Sequence, residues 1–401
     1  MRHSQRWWPI RLHPFRILAI SLAFSSAQSF PQSNQDATAL SLEQQGKTAE
    51  AEQAWKASSQ ARPGDPVPFA HMGLLEARQE HYPQSIAYYR KAMALNPSMP
   101  GLRLNLGLAL FKDGQYKQAI QIFAPLLKAQ PASSPEAQRL TILMGMSYYG
   151  LGEYPASVPY LQQASQGDGN NLALLLTLAH SCLLSNQYQC VLDAYHRMVA
   201  LNADSAEADM LVGEALDEMK DTAGALREFR AAVQTNPKEP NAHFGLGYLL
   251  WTEGHTQEAA NEFQAELANE PKHTQAMLYL ADVYIQLNRF QDARPLLETV
   301  VKDNSSNAMG HLDLGIVYAE SDRRAEAITE FKRAIALKPT DPKAHYRLGR
   351  LLRSMGKAAE ANAEFAKTKT LNESKDDRLL NVMSKVPDPS KPHPTATPAQ
   401  P

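Results

Sequence analysis

The chain has 401 residues, 40 of them basic and 42 acidic, and 44% are hydrophobic. So even a balance supplies no global field for nucleic acid or a charged membrane surface. The hydrophobic share suffices for a packed core, and no run of about 18 or more apolar residues suggests a membrane span.

Arg2, Arg6, Arg11 and Arg16 lead into an apolar run, Ile17–Phe24, followed by the small residues Ser25, Ser26 and Ala27. A basic region, a short apolar region and a cleavage-like site read as a secretory signal peptide over residues 1–27, cut near Ala27. They predict an exported protein, periplasmic or secreted. The segment is also rich in Arg and Ser with no acid before Asp36, so an organelle transit peptide or a plain unstructured start stays open. No cysteine follows the apolar run, which argues against a lipid anchor. Residues 28–38 read as a flexible linker merging into the next element.

From residue 32 the chain repeats itself about every 34 residues. The clearest copy is 308–341, where Leu314, Gly315, Tyr318, Ala327, Phe331, Ala334 and Pro339 fall at helix-turn-helix spacing. Earlier copies are 32–65 (Gly46, Ala51, Trp55), 66–99 (Gly73, Tyr89, Pro97) and 100–133 (Gly107, Phe123, Pro131). Residues 134–137 are an insertion, and Pro135 there predicts a longer loop. Copies follow at 138–171 (Gly145, Ala164), 172–205 (the most divergent, with Ala179 in place of glycine) and 206–239 (Gly213, Phe229). The rest are 240–273 (Gly247, Phe263), 274–307 (Ala281, Tyr284) and 342–373 (Gly349, Phe365).

This order of small, aromatic and proline positions resembles the tetratricopeptide repeat, a 34-residue helical pair, in about ten tandem copies. The resemblance implies an all-α fold, a right-handed superhelical solenoid whose first helices line a concave face. Glycine or alanine at the helix crossing lets two backbones approach, and the aromatic of the second helix fills the space beside it. Proline ends the second helix because it lacks a donor and clashes with the preceding turn. One helical pair cannot bury its apolar face alone, so neighbours share a continuous core, and the array ends need polar covers. Residues 374–386 read as a capping helix, and 387–401, rich in proline, as a disordered tail.

No catalytic signature stands out. Gly145-Met-Ser147-Tyr-Tyr149 lacks the second glycine of a nucleophile elbow, and Gly46-Lys47-Thr48 lacks the first glycine of a phosphate loop. The histidines do not pair at metal-ligand spacing. With repeats and cap filling 32–386, no segment remains for a catalytic domain. The expectation is no enzyme, no cofactor and no metal.

Projected on the family pattern, the groove changes character along its length. Phe111, Met146, Tyr149, His180 and Leu183 make an apolar floor, and Glu207, Glu214, Asp217 and Glu218 an acidic stretch. Phe244, Tyr248 and Trp251 share one helix face. Lys343, Arg347, Arg350 and Arg353 flank Tyr346. Ordinary packing accounts equally well for the aromatics, and a solvated face for the acids. Lys343 and Arg347 resemble part of the carboxylate clamp of chaperone-tail-binding repeats, but Asp313, Leu278 and Asp282 stand where the clamp needs asparagine and lysine, so that reading is rejected. Cys182 and Cys190 sit one on each side of a repeat turn, within reach of a disulfide or as two buried small residues.

The sequence thus predicts a non-enzymatic scaffold or adaptor that holds an extended segment or helix of another protein in its groove, with no nucleic acid and no membrane span. The alternatives are an assembly or stability factor of an envelope complex working through its convex face, and an accessory subunit recruiting substrate to a separate enzyme.

Overall fold

The structure is a computed structural model that describes residues 34–201 and 204–383. The predicted signal peptide, most of the linker and the tail 387–401 lie outside the described residues. Twenty α-helices and no strand occur among the described residues. The chain divides into two units, one through Asn236 and one from Pro237.

In the first unit the pairs are α1 (Asn34–Gln44) with α2 (Thr48–Ala61), α3 (Pro66–Arg78) with α4 (Tyr82–Leu95), and α5 (Leu102–Lys112) with α6 (Tyr116–Lys128). They continue as α7 (Pro135–Gly150) with α8 (Tyr154–Gly167), α9 (Leu172–Leu184) with α10 (Tyr188–Ala200), and α11 (Ala206–Glu218) with α12 (Thr222–Thr235). The second unit holds α13 (Ala242–Thr252) with α14 (Thr256–Asn269), and α15 (Thr274–Gln286) with α16 (Phe290–Asp303). It ends with α17 (Ala308–Glu320) against α18 (Arg324–Leu337), and α19 (Pro342–Ser354) against α20 (Ala358–Met383). Each unit is an all-α solenoid of stacked helical pairs.

The crossing inside a pair follows from one spacing. A Cβ on Gly107 would lie 2.5 Å from the Phe123 ring, and one on Gly315 would lie 2.6 Å from Phe331. Both aromatics are fully buried. The ring occupies the volume that any larger residue at the crossing would need.

Every turn from first to second helix places one residue in the left-handed region. Glycine does this at 46, 114, 152, 254 and 356, Asn186, Asn288 and Asp322 are the side chains that tolerate it best, and Glu80 and Lys220 do it against their preference. The first helices are mostly capped by side chains, as by Asp65, Ser134, Asn171, Ser205, Asn307 and Asp341. Most second helices start directly from the turn with no side-chain cap, for example α4, α6 and α18.

Two local expectations differ. Residues 134–137 do not form a longer loop: Ser134 caps α7 and Pro135 opens it. Proline lacks the N–H that a first helical position leaves unused, so the insertion adds a helical turn. Residues 374–383 are not a separate element either, but run on as the last part of α20; no Gly or Pro intervenes to stop that helix. In the most divergent repeat, a disulfide joins Cys182 of α9 to Cys190 of α10 with Cα atoms 5.8 Å apart.

Candidate functional site

First helices of successive repeats touch one another, α3 with α5 and α9 with α11 in the first unit, and α13, α15, α17 and α19 in series in the second. In the second unit that series makes a continuous first-helix face. The predicted groove residues fall on these helices, but not all reach solvent.

In the first unit Phe111 is only 3% exposed, with Tyr116 set edge-on at 5.7 Å. It offers no surface to a partner, and Met146 and Leu183 are buried likewise. Tyr116 is what covers this stretch: it also fills the space beside Gly150 of α7.

Tyr149 and His180 do come together, hydroxyl to Nδ1 at 2.9 Å, with Tyr154 edge-on to the imidazole. Burial pushes the His180 pKa down to about 4, so the ring is neutral at ordinary pH. Burial, then Tyr154 and Glu207, hold the Tyr149 hydroxyl above its usual range. The neutral ring shares one hydrogen bond with the Tyr149 hydroxyl through Nδ1, and its Nε2 is buried and without a partner. Glu214 of α11 is raised to about 8, first by burial and then by Glu218 and Asp217. It is mostly protonated at neutral pH. Glu214, Glu207, Asp217 and Glu218 all keep some exposure at the residue level.

In the second unit Phe244 is 1% exposed and packs on the rings of Phe263, His273 and Tyr279. It is core. Tyr248 and Trp251 are partly exposed and join Tyr279 in one aromatic cluster, Trp251 and Tyr279 meeting edge to face at 5.1 Å. Trp251 donates its indole N–H to Asp282 Oδ2 of α15 at 2.9 Å. Asp313 of α17 is buried, with Oδ2 lacking any partner. Burial and then Asp282 raise its pKa to about 7 against the pull of Lys343 and Arg347.

On α19, Tyr346 is 47% exposed and Lys343 and Arg350 are exposed. Tyr346, Arg350, Arg353 and Phe365 line one shallow depression, and Arg353 lies over the Phe365 ring. Sequence reasoning singled out Tyr346 and Arg350 but missed Asp282, Asp313 and Tyr279 as members of the site. Their signal was present, because Asp313 holds the same position before Gly315 that Arg347 holds before Gly349.

Three His–Glu pairs recur as ties within repeats. His243–Glu262, His311–Glu330 and His345–Glu364 each join a first helix to its second at one recurring register. Repetition in three repeats marks a tie inside the repeat, not a reacting pair. Glu266, Glu270 and His273 lie close enough together for a cation. The two oxygens of Glu266 instead accept the backbone N–H groups of Asn241 and Phe244, and His273 Nδ1 accepts that of Ala276. These contacts cap α13 and α15.

Models of the tetratricopeptide repeat family match residues 213–272, 244–308, 280–342 and 312–370, and a second such model matches 76–141. Tetratricopeptide repeat protein 8 of Caenorhabditis elegans is 24% identical over 147 residues, 36% of this chain. The chain matches only 28% of that relative's length. Similar solved structures include MamA from Desulfovibrio magneticus RS-1, with TM-score 0.41, 24% identity, and coverage of 43% of this chain and 98% of its own. They also include the Cut9–Hcn1 hetero-tetramer of APC/C, with TM-score 0.46, 17% identity, and coverage of 76% and 59%.

Proposed function

The chain belongs to the tetratricopeptide repeat family, and on that premise we propose that it is a non-enzymatic scaffold that holds an extended segment of a partner protein on the first-helix face of its second unit. The observation that carries this reading is α19. Lys343, Arg347, Arg350 and Arg353 project from a helix whose interior has no acid, and none of them forms an ion pair among the described residues. At the starts of the second helices of the same unit, cations pair locally, as in Arg289–Asp292, Arg323–Glu326 and Lys357–Glu360. Farther along, Lys302 and Lys332, unpaired among the described residues, stand apart on separate helices, not gathered on one helix around an aromatic. Exposed Tyr346 sits among the unpaired cations. An aromatic surrounded by unpaired guanidinium groups suits an acidic or carboxylate-bearing stretch.

Further along the same face, Trp251 and its neighbouring rings supply apolar contact area. Long-range charge would speed and align docking, and the rings would supply most of the affinity. The segment therefore binds by its charge order as well as its side chains.

An exported location belongs to the same reading. The basic and apolar start supplies the signal, and the Cys182–Cys190 bridge suits an oxidising compartment.

The test is capture of cellular partners by the full chain and by two double variants. Tyr346→Ala with Arg350→Glu should lose the partner, while Lys332→Glu with Lys302→Glu, on exposed second-helix positions, should retain it. The reverse pattern would move the interaction to the convex side and favour an assembly factor. Capture should also weaken as salt rises, since exposed charges are screened over about 10 Å at 0.1 M ionic strength.

A further inference from the structure

We propose that Trp251, Asp282 and Asp313 form a subsite for the guanidinium of an arginine carried by the bound segment; this rests on the groove reading above. Three independent features of the second unit meet here. The first is an acceptor with no donor: Asp313 Oδ2 is buried and unbonded, on a side chain only 7% exposed. Leaving a buried carboxylate oxygen without a partner is costly, and a bound donor removes that cost.

The second feature is Asp282. Its Oδ2 is fixed by Trp251 Nε1 at 2.9 Å and by Gln286 Nε2 at 2.6 Å. Two first helices, α13 and α15, thereby hold one carboxylate in place, near enough to Asp313 to act on it electrostatically. The third is the aromatic wall, in which Trp251 meets Tyr279 at 5.1 Å and Tyr248 at 6.0 Å. An aromatic face next to two carboxylates favours a flat cation.

Arginine fits these features better than lysine. Its planar group stacks on a ring while its five donors reach acceptors in different directions, whereas an ammonium is a compact and strongly hydrated point charge. The chain's own cations do not fill the position. Lys343 and Arg347 of α19 face Asp313 electrostatically, yet neither reaches ion-pairing distance from it. Both belong to the basic helix α19, so the bound segment would carry an arginine at this subsite and acidic character toward α19. The charge order gives the segment a direction.

The experiment starts by panning a random peptide library on the full-length chain. An enriched peptide is then made twice, with arginine and with its neutral isostere citrulline. Arginine-bearing peptides should be enriched, and citrulline should weaken binding by roughly tenfold or more. In Asp313→Asn the two peptides should bind within about twofold of each other, with the citrulline peptide unaffected. Should Asp313→Asn melt early by circular dichroism, Asp282→Asn reads the same ratio.

Enrichment of peptides without arginine overturns this inference alone, as does an arginine-to-citrulline ratio that both variants leave unchanged. If no peptide is enriched, or if enriched peptides bind Tyr346→Ala with Arg350→Glu as well as the native chain, the groove reading itself fails and takes the subsite with it.

Discussion

The first-helix faces of the two units are built on one repeat pattern and differ in their electrostatics. In the first unit burial keeps His180 uncharged beside the Tyr149 hydroxyl, and Glu214 holds its proton to about pH 8. In the second unit Lys343, Arg347, Arg350 and Arg353 gather on one helix, and Asp282 is fixed by an indole. The lesson is that formal charge on a repeat surface does not predict field. Where like charges crowd a desolvated position, protonation removes the charge.

The largest expected effect tests that protonation directly. Glu214 has its folded pKa raised from 4.5 to about 8, so its contribution to stability is full below pH 4.5 and falls as pH rises toward 8. His180, lowered from 6.5 to about 4, acts with the opposite sign at lower pH: its contribution is full above pH 6.5 and is lost as pH falls toward 4. Their windows overlap, so the clean interval for Glu214 is between pH 6.5 and 8. Glu214→Gln should abolish its share of the fall, leaving the variant more stable than the native chain at pH 8 by about 2–4 kcal/mol. Urea midpoints of both proteins across this interval check it; parallel curves would restore a charged floor.

Asp313→Asn is the matching probe in the second unit. The rise from 3.8 to about 7 places its loss of stability between those pH values. Asparagine should gain about 1–3 kcal/mol at pH 8, less than Glu214→Gln because Lys343 and Arg347 partly compensate the carboxylate. An equal or larger gain would remove the asymmetry between the two units.

The disulfide sharpens the comparison from another side, since it lies in the repeat where Ala179 stands in for glycine. Cys182→Ser with Cys190→Ser should cost about 2–3 kcal/mol in the first unit, in keeping with a short closed loop. Hydrogen exchange should report the loosening in α9 and α10 and leave α13–α20 unchanged. The smallest effect belongs to the turns. Lys220→Gly should stabilise by about 1 kcal/mol, because Lys220 has φ 68° where glycine carries no penalty. Thermal melts would show it.

Much of this molecule was legible in the sequence. The spacing of Gly315 and Phe331 is a statement about helix crossing, and it reappears as a volume that the ring fills. Tyr346, Arg350 and Trp251 were placed on the first-helix face by register alone, and they are partly or fully open to solvent there. Register could not tell which side chains a neighbour covers. Phe111 shares the register of Trp251 yet is buried, with the Tyr116 ring beside it.

Likewise, Asp282 and Asp313 read in sequence only as misfits to a carboxylate clamp. The placement of Asp282 depends on an indole one repeat earlier, a contact 31 residues apart that no local pattern encodes. Pro135 misled for a simpler reason, since the same residue breaks a helix interior and opens a helix start.

The central claim is that the first-helix face of the second unit engages one extended partner segment. It is tested most directly by placing a photo-activatable amino acid at position 251, at 350, or at 332 on the second-helix side, then mapping the adducts by mass spectrometry. The account predicts that 251 and 350 crosslink to different residues of the same short segment of one protein, and that 332 gives no adduct with it. Adducts from 332 alone, or unrelated proteins from 251 and 350, would contradict it.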